Sequence, residues 1–82
     1  MKVEILGTGC AKCQKLYRLV EQAVADTGSD AEVVKVEKMD EIMSYGVPFT
    51  PALVIDGTVK SVGNLPKPAQ LEAWLREGAG QR

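Results

Sequence analysis

The chain has 82 residues, 45% apolar and 26% charged, and its 10 basic and 11 acidic side chains leave a formal charge of -1 at pH 7. That length supports one core and not two, and the composition is that of a soluble globular protein, which excludes disordered and fibrous classes. The basic residues are scattered, so no concentrated face for nucleic acid is expected. No apolar run approaches the roughly 20 residues that span a bilayer, and Met1–Leu6 is too short for a signal peptide. A cytoplasmic protein without a membrane partner is expected.

Val3, Ile5 and Leu6 form an apolar run that stops at Gly7-Thr8-Gly9, which predicts a strand over residues 2–6 running into a glycine loop. From Ala11 to Thr27 the apolar positions Cys13, Leu16, Tyr17, Val20, Ala23 and Val24 recur at intervals of three and four, the stripe of a long helix. Gly28 follows its last turn and suits a left-handed cap. Three valines within Ala31–Val36 favour a second strand, completing a β-α-β crossover with parallel strands. Met39–Tyr45 forms a short helix with Ile42 and Met43 turned inward, interrupted by Gly46 and Pro48. Ala52–Ile55 and Thr58–Val62 flank Asp56-Gly57, the signature of a tight antiparallel hairpin. A last helix begins near Pro68 and buries Leu71, Trp74 and Leu75. The order β-α-β-α-β-β-α makes an α/β domain over residues 1–77, with a mixed four-stranded sheet flanked by helices and a flexible tail over 78–82.

The chain has two cysteines and no histidine. A bridge between residues three apart closes too small a loop to stabilise the fold much, and without histidine there is neither a Cys-His nucleophile pair nor a mixed zinc site. The placement of Cys10-Ala11-Lys12-Cys13 is more informative. Cys10 falls at the cap of the first helix, where unpaired N–H groups and the positive end of the helix dipole favour thiolate. Thiols so placed titrate between about 3.5 and 7.5 instead of near 8.5. Cys13, one turn in, shares the stripe of Leu16, Tyr17 and Val20 and faces the sheet. Cys10 is therefore the expected nucleophile on a disulfide and Cys13 the thiol that resolves the mixed disulfide. Lys12 adds a modest, screened push toward thiolate.

These features resemble the thioredoxin and glutaredoxin superfamily, in particular its small thioredoxin-like, redox-active disulfide members. The resemblance rests on the strand before Gly7-Thr8-Gly9-Cys10-Ala11-Lys12-Cys13 and on Thr50-Pro51-Ala52-Leu53-Val54-Ile55-Asp56-Gly57 ahead of the terminal hairpin and helix. It implies a minimal thioredoxin-like fold, a cis proline at Pro51 beside the dithiol, and a Thr50 backbone that pairs with substrate like an added strand. Glu4 lies six positions before Cys10, where larger relatives carry a buried acid that assists proton transfer; it is a candidate general base, and facing solvent at the sheet's edge is its other reading. The chain departs from the family in lacking the Trp-Cys-Gly-Pro-Cys and Cys-Pro-Tyr-Cys centres, with Gly9 in place of the aromatic residue before Cys10.

The resemblance implies a monomeric thiol-disulfide oxidoreductase that reduces protein or low-molecular-weight disulfides. It needs no cofactor beyond its own Cys10–Cys13 disulfide and draws electrons from a thiol or a flavoprotein reductant. The rival is a soft-metal carrier, whose Cys-x-x-Cys also opens a helix. Such carriers run β-α-β-β-α-β and place methionine two residues before the first cysteine; here Thr8 stands there and a helix closes the chain. Gly7-Thr8-Gly9 is no dinucleotide fingerprint, since Lys12 stands where its third glycine belongs. A non-catalytic binding module using the Phe49 and Pro51 surface is the third reading.

Overall fold

A computed structural model describes the backbone of residues 1–80 and the side chains of residues 1–77. The strands are β1 (Lys2–Leu6), β2 (Glu32–Val36), β3 (Ala52–Ile55) and β4 (Thr58–Val62), and the helices are α1 (Ala11–Thr27), α2 (Met39–Ser44) and α3 (Pro68–Gly80). Residues 81 and 82, the end of the expected tail, lie outside the described residues.

The four strands form one sheet in the order β2-β1-β3-β4. β1 pairs in parallel with β2, Lys2 opposite Glu32 and Leu6 opposite Val36, and antiparallel with β3, Val3 opposite Ile55 and Leu6 opposite Ala52. β3 and β4 form the hairpin, with a register shift at Leu53/Val54. Its turn places Asp56 at φ 49 and Gly57 at φ 84, the positive values the Asp-Gly pair was expected to accept. Asp56 also ties the turn to β1: its N–H donates to the Lys2 carbonyl at 2.9 Å, and its Oδ1 accepts from the Lys2 N–H at 2.8 Å.

The two-residue alternation of β1 divides the core. Val3 and Ile5 face α1 and α3, joining Leu16, Val20, Ala23, Leu53, Ile55, Leu71 and Leu75. Leu6 faces the other way, with Val36, Ala52, Val54 and Ile42 of α2. The α1 stripe is as its spacing predicts, with Cys13, Leu16, Val20 and Ala23 buried. Gly28 closes α1 at φ 66, and the N–H groups of Gly28 and Ser29 reach back to the carbonyls of Ala25 and Val24. In α3, Leu71 and Leu75 are buried and Trp74 is partly buried against the same cluster.

Helix α2 corrects one expectation. Ile42 is buried at 3% exposure, but Met43 is 67% exposed and points outward. A helix of six residues offers one narrow stripe to the sheet. Ile42 takes the inward position, and Met43, about 100° around the axis, cannot share it. The residue that joins Ile42 from this end of the helix is Tyr45, packed against the same cluster.

Candidate active site at the start of the first helix

β1 delivers the chain to the site, and the Gly7 N–H extends its ladder by donating to the Val36 carbonyl at 3.0 Å. Gly9 turns the backbone at φ 89, and Cys10 becomes the N-cap of α1 with extended φ and ψ of -66 and 163. Cys10 does there what a serine or aspartate does at other helix starts: its Sγ accepts the N–H of Cys13 at 3.1 Å. Its carbonyl accepts from Gln14 at 2.9 Å, the first bond of the helix. Gln14 in turn sends Nε2 back to the Gly9 carbonyl at 3.1 Å, fixing the glycine loop against the helix.

Cys10 and Cys13 form a disulfide with their Cα atoms 5.0 Å apart. The two sulfurs differ in access. Cys10 is exposed, whereas Cys13 is 5% exposed, covered by the end of the sheet. Gly7 explains how the helix comes so close: a Cβ at that position would lie 3.0 Å from Cys13 Cβ and still nearer its Sγ. The same Cβ would be 4.0 Å from Thr50 Cβ, so Gly7 is the floor between the inner thiol and the Thr50 loop.

The Thr50–Pro51 peptide bond is cis. Pro51 is fully buried, and its carbonyl accepts the N–H of Gly63 at 2.7 Å. Phe49 lies over Gly63 with 67% of its surface exposed. Lys12, from the middle of the dithiol motif, donates Nζ to the carbonyl of this same Gly63, just after β4, at 2.9 Å. Cys10, Lys12, Cys13, Thr50 and Pro51 are thus gathered at one end of the sheet.

Glu4 is not gathered with them. β1 is a central strand, not an edge, and Glu4 is 9% exposed on the α2 face, which overturns the reading that sends it to solvent. There its Oε2 accepts the hydroxyl of Tyr45 at 2.6 Å. That hydrogen bond, with burial and the neighbouring carboxylates, raises the Tyr45 pKa above 10. Sequence reasoning missed Tyr45 as the partner. The usable signal was that an acid on a central strand needs a donor from the one element that covers its face.

Among the described residues no helix is long and apolar enough to cross a membrane, and no three histidine, cysteine, aspartate or glutamate side chains cluster to hold a metal. The described elements run β-α-β-α-β-β-α, not in the β-α-β-β-α-β order of the soft-metal carriers.

Comparison with known proteins agrees with this geometry. A family model described as thioredoxin domain matches residues 1–76. A thioredoxin from Methanothermobacter thermautotrophicus is 39% identical over 75 residues, covering 92% of this chain and 97% of that protein. A thioredoxin from Methanocaldococcus jannaschii is 37% identical over 78 residues, covering 89% and 88%. With a helix-capping dithiol, a cis proline beside it and relatives matched over almost their whole length, the chain belongs to the thioredoxin family of thiol-disulfide oxidoreductases.

Proposed function

We propose that the protein reduces protein or low-molecular-weight disulfides in the cytoplasm, with Cys10 as nucleophile and Cys13 as resolving thiol. The observation that carries this reading is the unequal access of two sulfurs in one bond: Cys10 exposed at the helix cap, Cys13 5% exposed beneath it. A substrate sulfur can reach only the first. Helix N–H groups and the dipole favour the Cys10 thiolate.

The Cys10 thiolate attacks one substrate sulfur. A Cys10–substrate bond forms, the substrate disulfide breaks, and the departing sulfur takes a proton. Cys13, as thiolate, then attacks Cys10 Sγ. The Cys10–Cys13 bond forms, the Cys10–substrate bond breaks, and the second substrate sulfur leaves and is protonated. Two electrons pass to the substrate, and a thiol or flavoprotein reductant restores the dithiol. Thr50 and Pro51 border the same end of the sheet, which supports the Thr50 backbone as the edge on which an extended substrate segment pairs. Residues 1–77 act in this as one monomeric domain.

Trapping tests the division of roles. Incubated with a reducible disulfide protein, the Cys13→Ser variant accumulates a covalent mixed disulfide through Cys10, and the Cys10→Ser variant accumulates little. Equal trapping by both would overturn the assignment.

A further inference from the structure

A cleft of about 60 Å³ opens beside Cys13 on the α1 face of the sheet. Its floor is Ile5 and Gly7, one wall is Cys13 and Tyr17 of α1, and the other is Lys35 of β2 with Glu37 just beyond it. No residue of the Thr50–Pro51 loop takes part, so this is a second approach to the inner thiol, separate from the substrate side. At roughly 15 Å³ for each water, it has room for on the order of four. Three polar side chains border it. Glu37 Oε2 comes within 3.8 Å of where a Cβ on Gly9 would sit, beside the loop that leads to Cys10. Lys35 Nζ stands 4.4 Å from the Tyr17 ring centroid. Gln14 closes the outer rim.

The resolving step calls for such a path. Cys13 must lose its proton to attack Cys10, and burial disfavours a charged sulfur unless a base takes the proton as it leaves. The acid at the family's usual offset, Glu4, lies on the opposite face of the sheet, held by Tyr45. The ionisable groups on the Cys13 side are Cys10 at the cap of α1, Tyr17 of α1 with Glu21 facing its hydroxyl, Lys35 of β2, and Glu37 just beyond that strand. β1 and the residue after it bring only Ile5 and Gly7 to the cleft, Thr50 and Pro51 lie outside it, and Lys12 is bound to Gly63. Of the two carboxylates, Glu37 is the one that lines the cleft with Cys13, whereas Glu21 is engaged with Tyr17.

We propose that Glu37 is a positioning residue for the resolving step, accepting the Cys13 proton through water held in this cleft and returning it when the dithiol is regenerated. This rests on the division of roles given above. The Cys13 S–H bond breaks, the proton passes through water to the Glu37 carboxylate, and the sulfur's electron pair forms the bond to Cys10 Sγ. The Cys10–substrate bond breaks, and its electrons leave on the substrate sulfur, which takes a proton from solvent.

Rapid mixing of the reduced protein with 5,5′-dithiobis(2-nitrobenzoate) separates the steps. The first nitrothiobenzoate is released by Cys10 attack and the second by Cys13. Glu37→Gln slows the second release at least about fivefold near neutral pH, and the gap closes as hydroxide replaces the carboxylate at alkaline pH. Glu37→Asp recovers most of the rate, and Glu4→Gln leaves the pH profile of the second release in place. A Glu37→Gln profile superimposable on the wild type, or a second release slowed by Glu4→Gln alone, would overturn the proposal. Stoichiometric release of one nitrothiobenzoate and no second from the wild type would instead overturn the division of roles, and this proposal with it.

Discussion

The hydroxyl of Tyr45 donates to the carboxylate of Glu4 at 2.6 Å, joining the end of α2 to the central strand across 41 residues of chain. An acid on a buried strand is costly without a donor, and Tyr45 supplies one from the element that covers its face. The bond therefore holds down a helix too short to be stable by itself.

Removing the Tyr45 hydroxyl should cost about 1 kcal/mol. A hydrogen bond to a charged group is worth roughly 1.5–3 kcal/mol, and Tyr45 is only partly buried, so solvent screening brings the figure below that range. The pH dependence has a definite sign. The folded pKa of Tyr45 lies above the ordinary 10.0 because Glu4 accepts its proton in a hydrogen bond. Its contribution is thus fully present below pH 10 and is lost as pH rises through the raised value. Glu21 raises Tyr17 as well, so the wild type alone does not isolate the effect. In urea unfolding, the difference between wild type and Tyr45→Phe should shrink from neutral pH to above the raised value; a constant difference would contradict it.

Gly7 and Gly28 are glycines for different reasons, and substitution separates them. Gly7→Ala places a Cβ 3.0 Å from Cys13 Cβ and nearer still to its Sγ, with β1 and α1 both fixed by the core. Overpacking of this kind costs about 1–3 kcal/mol and displaces the inner thiol. Gly28→Ala meets nothing within 4 Å, and its cost is the left-handed backbone at φ 66, about 1–2 kcal/mol. Both variants should lose stability in urea, but only Gly7→Ala should also change the thiol-disulfide equilibrium against glutathione. An equal effect of both on that equilibrium would refute the close-approach role of Gly7.

The sequence carried the parts of this fold governed by local chemistry. The α1 stripe, the Gly28 cap, the Asp56-Gly57 turn and the capping position of Cys10 depend on residues near one another in the chain. The motif at Thr50-Pro51 was legible only through the family resemblance, since a proline at the first residue of a strand is ordinarily trans. What escaped depends on packing. Which side of six-residue α2 turns inward, that Tyr45 meets Glu4, and that Lys12 reaches Gly63 51 residues away are settled by tertiary approach. The cleft beside Cys13 escaped too, because it needs Ile5, Tyr17 and Lys35 placed together by the sheet's register.

Ile42 and Met43 test the orientation of α2 directly. Ile42 is 3% exposed and Met43 67% exposed. Ile42→Ala removes buried methylenes beneath the sheet and should cost about 2–4 kcal/mol, a large share of the stability of so small a domain. Met43→Ala should fall within about 0.5 kcal/mol of the wild type. Urea midpoints with an unchanged slope check both, and comparable losses would mean that the helix is rotated from the position described.

Lys12 is the last case, a residue of the redox motif whose ammonium is bonded to the backbone just after β4. Its ammonium donates to the Gly63 carbonyl at 2.9 Å, and the Gly63 N–H donates to the Pro51 carbonyl at 2.7 Å. The side chain thus straps the first turn of α1 to the loop that carries the cis proline. The bond is exposed, so Lys12→Met should lower stability by less than about 1 kcal/mol. Loosening the strap should instead raise KM for a protein disulfide a few-fold while leaving the attack of Cys10 on a small aromatic disulfide near the wild-type rate. A small-disulfide rate that fell as much as the protein-disulfide rate would show that the ammonium acts on the Cys10 thiolate and not on the loop.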